Sequence, residues 1–146
     1  MTSRQTSCGV IVSDAQRILL GHATRSPRWD IPKGVAEAGE VFATAAAREL
    51  LEETGLSVPP GQLVELGLHA YLRGKNLALF AWAPPRLPDP RSLTCTSRFA
   101  LADGTLVPEF DRFGLFPWDE ALLRIGKSLA RVLTSIPRGA LNGASR

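Results

Sequence analysis

The run Gly34-Val35-Ala36-Glu37-Ala38-Gly39-Glu40-Val41-Phe42-Ala43-Thr44-Ala45-Ala46-Ala47-Arg48-Glu49-Leu50-Leu51-Glu52-Glu53-Thr54-Gly55-Leu56 joins a glycine-containing loop to a helix and its stop signal. From about Val41 to Thr54 good helix formers dominate, and Gly55 stands where a helix C-cap favours glycine. On a wheel of about 100° per residue, Glu49, Glu52 and Glu53 fall within an arc of about 100°. Ala43, Ala47, Leu50 and Leu51 take much of the other side, the face expected to bury against a sheet. Ala45 and Ala46 lie beside the carboxylates and leave room for ions and phosphates. Three like charges so close repel one another unless a cation neutralises them. Magnesium or manganese, hard ions that take oxygen ligands octahedrally, are the natural partners. Taken alone, such a helix face is also what a solvated surface looks like.

The flanks supply strands. Ser7–Val12 and Arg17–His22 are apolar runs separated by Ser13-Asp14-Ala15-Gln16, which reads as a β-hairpin. Trp29-Asp30-Ile31 then leads through Pro32-Lys33-Gly34 into the loop that contains Gly39. Beyond the helix, Leu63–Leu72 and Asn76–Ala83 are strand candidates joined by Arg73-Gly74-Lys75. The proline-rich segment Pro84–Pro90 cannot join a central strand, because proline donates no hydrogen bond. Asp103-Gly104, between Arg98–Leu101 and Thr105–Val107, signals a tight hairpin. Leu122, Ile125, Leu129, Val132, Leu133 and Ile136 recur at helical spacing, which predicts one amphipathic helix over Trp118–Ser135. Pro137 ends it. The expected organisation is a single domain over 1–137 with a flexible tail over 138–146. Strands on both sides of a central helix, with a closing helix, predict an α/β (α+β) protein whose mixed sheet is covered on both faces.

The 146 residues are enough to bury a core, and 45% hydrophobic with 21% charged residues excludes a disordered chain. No apolar run is long enough to span a membrane. Met1–Ser13 lacks the apolar stretch of a secretory signal, so a cytoplasmic protein without membrane partners is expected. Cys8 and Cys95 read as small buried hydrophobes. The net charge of +3 surrounds an acidic motif, a segregation suited to a polyanion held as its metal complex but below the level of a nucleic-acid binder.

The spacing Gly34, five residues, Glu40, seven residues, Arg48-Glu49-Leu50, one residue, Glu52-Glu53, one residue, Gly55-Leu56 resembles the signature of the Nudix hydrolases, with no substitution. A window of ordinary composition matches that pattern roughly once in a billion. The resemblance implies a three-layer αβα sandwich and a metal-dependent pyrophosphohydrolase acting on a nucleoside diphosphate linked to another group. It also implies that Glu52 and Glu53 are metal ligands, with Glu49 a further ligand or the general base. Gly34 matches the position whose carbonyl reaches a metal. Arg48 and Glu40 match a pair that orients loop and helix, and Arg48 is placed to brace the carboxylates. Glu109 falls where several members carry an additional catalytic or metal-binding glutamate.

Trp29-Asp30-Ile31-Pro32-Lys33-Gly34 resembles the Trp-x-x-Pro-Lys-Gly lead-in of asymmetrical dinucleoside tetraphosphate hydrolases and their relatives. That makes Lys33 a candidate phosphate contact. Tyr71 and Lys75 resemble the tyrosine and basic residue that bind base and phosphates in that subgroup. His22, at a strand end near the loop, is a further candidate, as are Arg25, Arg28 and Arg73 for phosphate. Dinucleoside polyphosphates are therefore the favoured substrates. RNA 5′ ends (the one case that would make nucleic acid a partner) and nucleoside diphosphate sugars are the alternatives, and a non-catalytic nucleotide-sensing module is disfavoured by the complete glutamate set.

Overall fold

The computed structural model describes residues 5–141. Strand β1 (Gln5–Val12) is apolar on both sides and lies at the centre of the molecule. Cys8, Val10 and Val12 face one cluster with Ala45, Ala46 and Leu50 of helix α1 (Phe42–Thr54). Ile11 faces a second cluster with residues of α2 (Trp118–Arg124) and α3 (Lys127–Thr134). Strand β6 (Lys75–Trp82) divides the same way, Ala78 and Phe80 toward α1, Leu77 and Leu79 toward α2 and α3. A strand covered on both faces has no polar side to show, hence the continuous apolar runs. The result is helix, sheet layer, helix: the expected αβα arrangement.

The sheet layer is mixed. Strands β4 (Lys33–Val35), β1, β6 and β5 (Val64–Leu72) lie in the order β4-β1-β6-β5, with β1 and β6 parallel and the other pairs antiparallel. A second, antiparallel sheet has the order β3 (Trp29–Asp30), β2 (Arg17–Ala23), β9 (Phe110–Pro117). Between β6 and β9 the hairpin β7 (Arg98–Ala100) and β8 (Leu106–Pro108) stands as a separate two-stranded unit. Its turn is the Asp103-Gly104 turn, with Gly104 at φ 88° and the Thr105 N–H bonded to Asp103 Oδ1 at 2.9 Å.

Three expectations are corrected and one strand is added. β1 and β2 share only the bridge Ser13–Ile18 and then diverge into different sheets. The turn itself forms, Asp14 Oδ1 accepting the N–H groups of Gln16 and Arg17 at 2.8 Å. β6 takes one edge of β1 along its whole length, and β4 takes the other at Ser7–Gly9. The Trp118–Ser135 helix is broken at Ile125-Gly126, both of which adopt extended ψ angles of 169° and 156°. Arg28 packs at Gly126, where a Cβ would come within 3.2 Å of its guanidinium. The apolar period survives the break because both helices face one cluster. Phe110–Pro117, to which the sequence pattern assigns no element, is the strand β9 that pairs along the length of β2. Arg138–Leu141, placed in the tail, forms a short helix α4 with Leu141 buried against Ile18 and Trp118's cluster; the remainder of the expected tail lies outside the described residues. None of the described helices is long and apolar enough to cross a membrane.

Candidate active site

Helix α1 starts after Val41 without a side-chain cap and ends at Gly55, whose φ of 84° places it in the left-handed region. Its buried face is only partly the one the wheel predicts. Leu50 is buried and Ala43 and Ala47 pack against the same cluster, but Ala45, Ala46, Glu49, Glu53 and Thr54 are buried too, whereas Leu51 is 49% exposed. The carboxylates of Glu49 and Glu53 therefore point toward the sheet, and only Glu52 lies at the rim, its side chain 43% exposed.

Buried carboxylates need partners: Glu49 finds Arg48 on its own helix, and Glu53 finds a backbone N–H of β4. Arg48 grips Glu40 with Nε and Nη2, both at 2.9 Å, the two-pronged geometry a guanidinium favours. Its Nη1 reaches Glu49 at 2.9 Å and Glu52 at 3.5 Å, and Nη2 approaches the Val35 carbonyl at 3.5 Å. The Arg48 bond and the Glu37 N–H together hold the Glu40 carboxyl down at about 2. Arg48 thus joins the loop to two acids of the helix. Gly34 sits directly over Glu49: a Cβ there would overlap the Glu49 carboxylate. The position needs empty space, which only glycine leaves. The Lys33 N–H donates to Glu53 Oε1 at 3.0 Å.

Glu109 reaches the same place along a different path. At the C-terminus of α1 the Glu52 carbonyl accepts the N–H groups of Thr96 and Ser97 at 2.7 and 3.2 Å, and Thr54 O accepts the Thr94 N–H at 3.1 Å. Those bonds fill orphan helix carbonyls and dock the 94–97 segment. Ser97 O in turn accepts the Glu109 N–H at 2.9 Å, and Glu109 O accepts the Thr24 N–H at 3.1 Å. The Glu109 side chain then lines the same cleft as Glu53. Burial, then the neighbouring Glu109 carboxyl and the charge of Glu49, push the Glu53 carboxyl up to about 10, with the Lys33 N–H opposing. Burial also raises Glu49, against the pull of Arg48.

Among the described residues no three His, Cys, Asp or Glu side chains already stand in ligating geometry. The donor set nevertheless fits a hard divalent cation. It consists of oxygens, and its carboxylates raise one another's proton affinity, a conflict that positive charge relieves.

Glu53, Glu109 and Lys33 line one cleft of about 280 Å³ together with Thr24, Asp30 and Phe99. A larger cavity of about 510 Å³, with Leu93, Cys95 and Phe113 in its wall, touches the cleft at Phe110 but holds none of the helix carboxylates. Lys33 Nζ pairs with Asp30 Oδ2 at 2.9 Å. Burial would lower its pKa, but Asp30, Tyr71 and Glu53 outweigh that and keep the ammonium charged. The other substrate candidates lie outside this lining. Tyr71, its ring 5.9 Å from Lys33 Nζ, packs against the α2–α3 core, and burial raises its hydroxyl. Lys75 opens β6 opposite Leu72. His22 Nδ1 is 2.8 Å from Asp111 Oδ1, its ring against Trp29. Trp29 itself packs edge-on to Phe116 and under Arg112. Asp30, Thr24 and Phe99 escaped the sequence reading. Asp30, three residues before Lys33, carried a signal in that spacing; the other two carried none.

The NUDIX domain family model matches residues 3–135. An uncharacterized 17.7 kDa protein of Enterobacteria phage T4 is 36% identical over 141 residues, covering 89% of this chain and 93% of its own length. An RNA pyrophosphohydrolase of Dinoroseobacter shibae is 47% identical over 53 residues, 34% of this chain and 33% of that protein. Among solved structures, a C. elegans Ap4A hydrolase binary complex superposes with a TM-score of 0.63 at 19% identity, over 88% of this chain and 93% of that one.

Proposed function

Because the chain belongs to the Nudix hydrolases, and is accordingly a pyrophosphohydrolase, we propose that its substrate is a (di)nucleoside polyphosphate and its cofactor magnesium or manganese. The observation that carries this reading is the meeting of Glu53 and Glu109 with the charged Lys33 in one cleft, beside Glu49. Acids there suit the cation and Lys33 suits the phosphates beyond it. The divalent ion, when bound, polarises the phosphoryl group, activates water and offsets charge on the leaving oxygen. Glu49, Glu52, Glu53, Glu109 and the Gly34 carbonyl would hold it.

The chain's own residues do the positioning. Arg48 fixes Glu49 and Glu52 relative to the loop through its grip on Glu40. Glu49 accepts the proton of the attacking water in our assignment, ahead of Glu52 and Glu109, since it is buried beside the loop yet keeps one oxygen not engaged by Arg48 in the bonds described. Lys33, held by Asp30, presents a point charge to a phosphate. Tyr71, Lys75 and His22 serve as outer contacts for a substrate long enough to extend past Lys33. We place the enzyme in the cytoplasm, as a single domain.

A purified-protein screen over dinucleoside tetraphosphates, nucleoside triphosphates, ADP-ribose and 5′-triphosphorylated RNA, with and without magnesium, tests the proposal. Turnover of dinucleoside polyphosphates above the rest, only with the metal, is the expected result. A second reading, removal of pyrophosphate from RNA 5′ ends, draws on the relative named RNA pyrophosphohydrolase; preferential turnover of the RNA would establish it instead.

A further inference from the structure

Two side chains of the cleft have no part in the acid and phosphate chemistry. Phe99, on β7, lines the cleft with Glu53, Glu109 and Lys33 and keeps 37% of its surface exposed. Thr24, just beyond β2, lines it too, and its buried hydroxyl is without a hydrogen-bond partner among the described residues. A buried hydroxyl left unpaired is a standing cost that a ligand can remove, and an exposed ring at a polar cleft is a surface that a flat apolar group can cover.

Both are tied to Glu109. Phe99 pairs with Val107 and Arg98 with Pro108, the residue immediately before Glu109. The Thr24 N–H donates to the Glu109 carbonyl. Ring and hydroxyl are therefore registered against an acid of the site by backbone bonds. The other rings near the cleft are spoken for: Phe110 is buried over Gly21 and against Phe113, and Trp29 and Tyr71 pack on the α2–α3 core. A flat apolar face beside a hydrogen-bonding hydroxyl, next to a phosphate-handling site, complements a nucleoside, and a bare polyphosphate chain offers nothing for the ring to cover.

We propose that Phe99 and Thr24 form the nucleoside-recognition wall of the cleft, Phe99 stacking on the base and Thr24 Oγ1 hydrogen-bonding the base edge or a ribose hydroxyl. The proposal rests on the reading of the protein as a nucleotide pyrophosphohydrolase and assigns the nucleoside to the β7–β8 side of Glu109, not to Tyr71. These two residues set specificity; the acids set rate.

Calorimetric titration in magnesium with two probes, α,β-methylene-ADP and methylenediphosphonate, isolates the nucleoside's share of binding. The wild-type protein should prefer the nucleotide by about tenfold or more, and Phe99→Ala should erase about tenfold of that preference, the worth of one stacked base. Phe99→Leu, which keeps bulk in the hairpin without the flat ring, should lose most of it too. Thr24→Val should cost the nucleotide roughly threefold to tenfold, with Thr24→Ser restoring it. Equal losses on both probes, no loss on either, or a wild type that binds both alike would overturn the assignment. Turnover of the substrate panel reports separately: a nucleoside preference that vanishes in Phe99→Ala, in a protein that hydrolyses nothing, supports this wall and sinks the catalytic reading.

Discussion

Glu53 is 3% exposed and accepts the Lys33 N–H, a bond that a glutamine carbonyl at the same place can also accept. Glu53→Gln should therefore fold normally while losing the charge a divalent ion requires. Turnover should fall about a thousandfold or more, with a thermal midpoint at or above that of the wild type. Full turnover at saturating magnesium would remove Glu53 from the metal set. Glu49→Gln should show a different signature: a rate deficit that narrows at high pH, where hydroxide substitutes for the lost base. An unaltered pH–rate profile would move the role to Glu52 or Glu109. Gly34→Ala places a methyl group on the Glu49 carboxylate. That should cost about 1–3 kcal/mol in urea unfolding, as overpacking does, and depress turnover as well. The role of Gly34 is legible in the sequence only through the spacing. The reason for it, a carboxylate packed where a Cβ would be, is a contact between residues fifteen positions apart.

Helix α1 shows where sequence pattern stops being informative. Its boundaries followed from propensity and the Gly55 stop, to within one residue at the N-terminus. Its inward face followed only in part, Leu50, Ala43 and Ala47 packing inward as expected, because a wheel sorts apolar from charged and assumes that charges face water. Here Glu49 and Glu53 turn inward among Arg48, the Gly34 loop and the Lys33 N–H, and Leu51 faces out. The two leucines separate the alternatives. Leu50→Ala should cost about 2–5 kcal/mol and Leu51→Ala within about 0.5 kcal/mol, both measured by denaturant unfolding. Equal costs would mean that the helix is rotated from the orientation described. The broken α2–α3 helix teaches a related lesson: periodicity reports which face is apolar but not whether the backbone is continuous, and Gly126 beside Arg28 marks the discontinuity.

Across the whole molecule the candidate site is assembled from four places: the β3–β4 lead-in with Lys33 and Gly34, helix α1, the segment after β2 with Thr24, and the 97–109 excursion with Phe99 and Glu109. A cation that draws acids from separate parts of the chain should stabilise the fold as it binds. At a hundredfold excess over its Kd, magnesium should add about 2.7 kcal/mol, raising Tm by roughly 5–10 °C for a chain of this size. Glu53→Gln should abolish that rise, and a wild-type Tm indifferent to magnesium and to chelator would count against a bound ion. The sequence by itself determined the family resemblance, the helix and its acids, the αβα layering and the demand for a divalent cation, because these rest on short spacings and on runs of residue type. Which sheet each strand joined, where β9 paired, and that Thr24 and Phe99 share a cleft with Glu109 were decided only by the tertiary structure. The physical reason is that strand pairing and cleft formation depend on which edges and faces remain free once other segments have packed, and no local pattern records that.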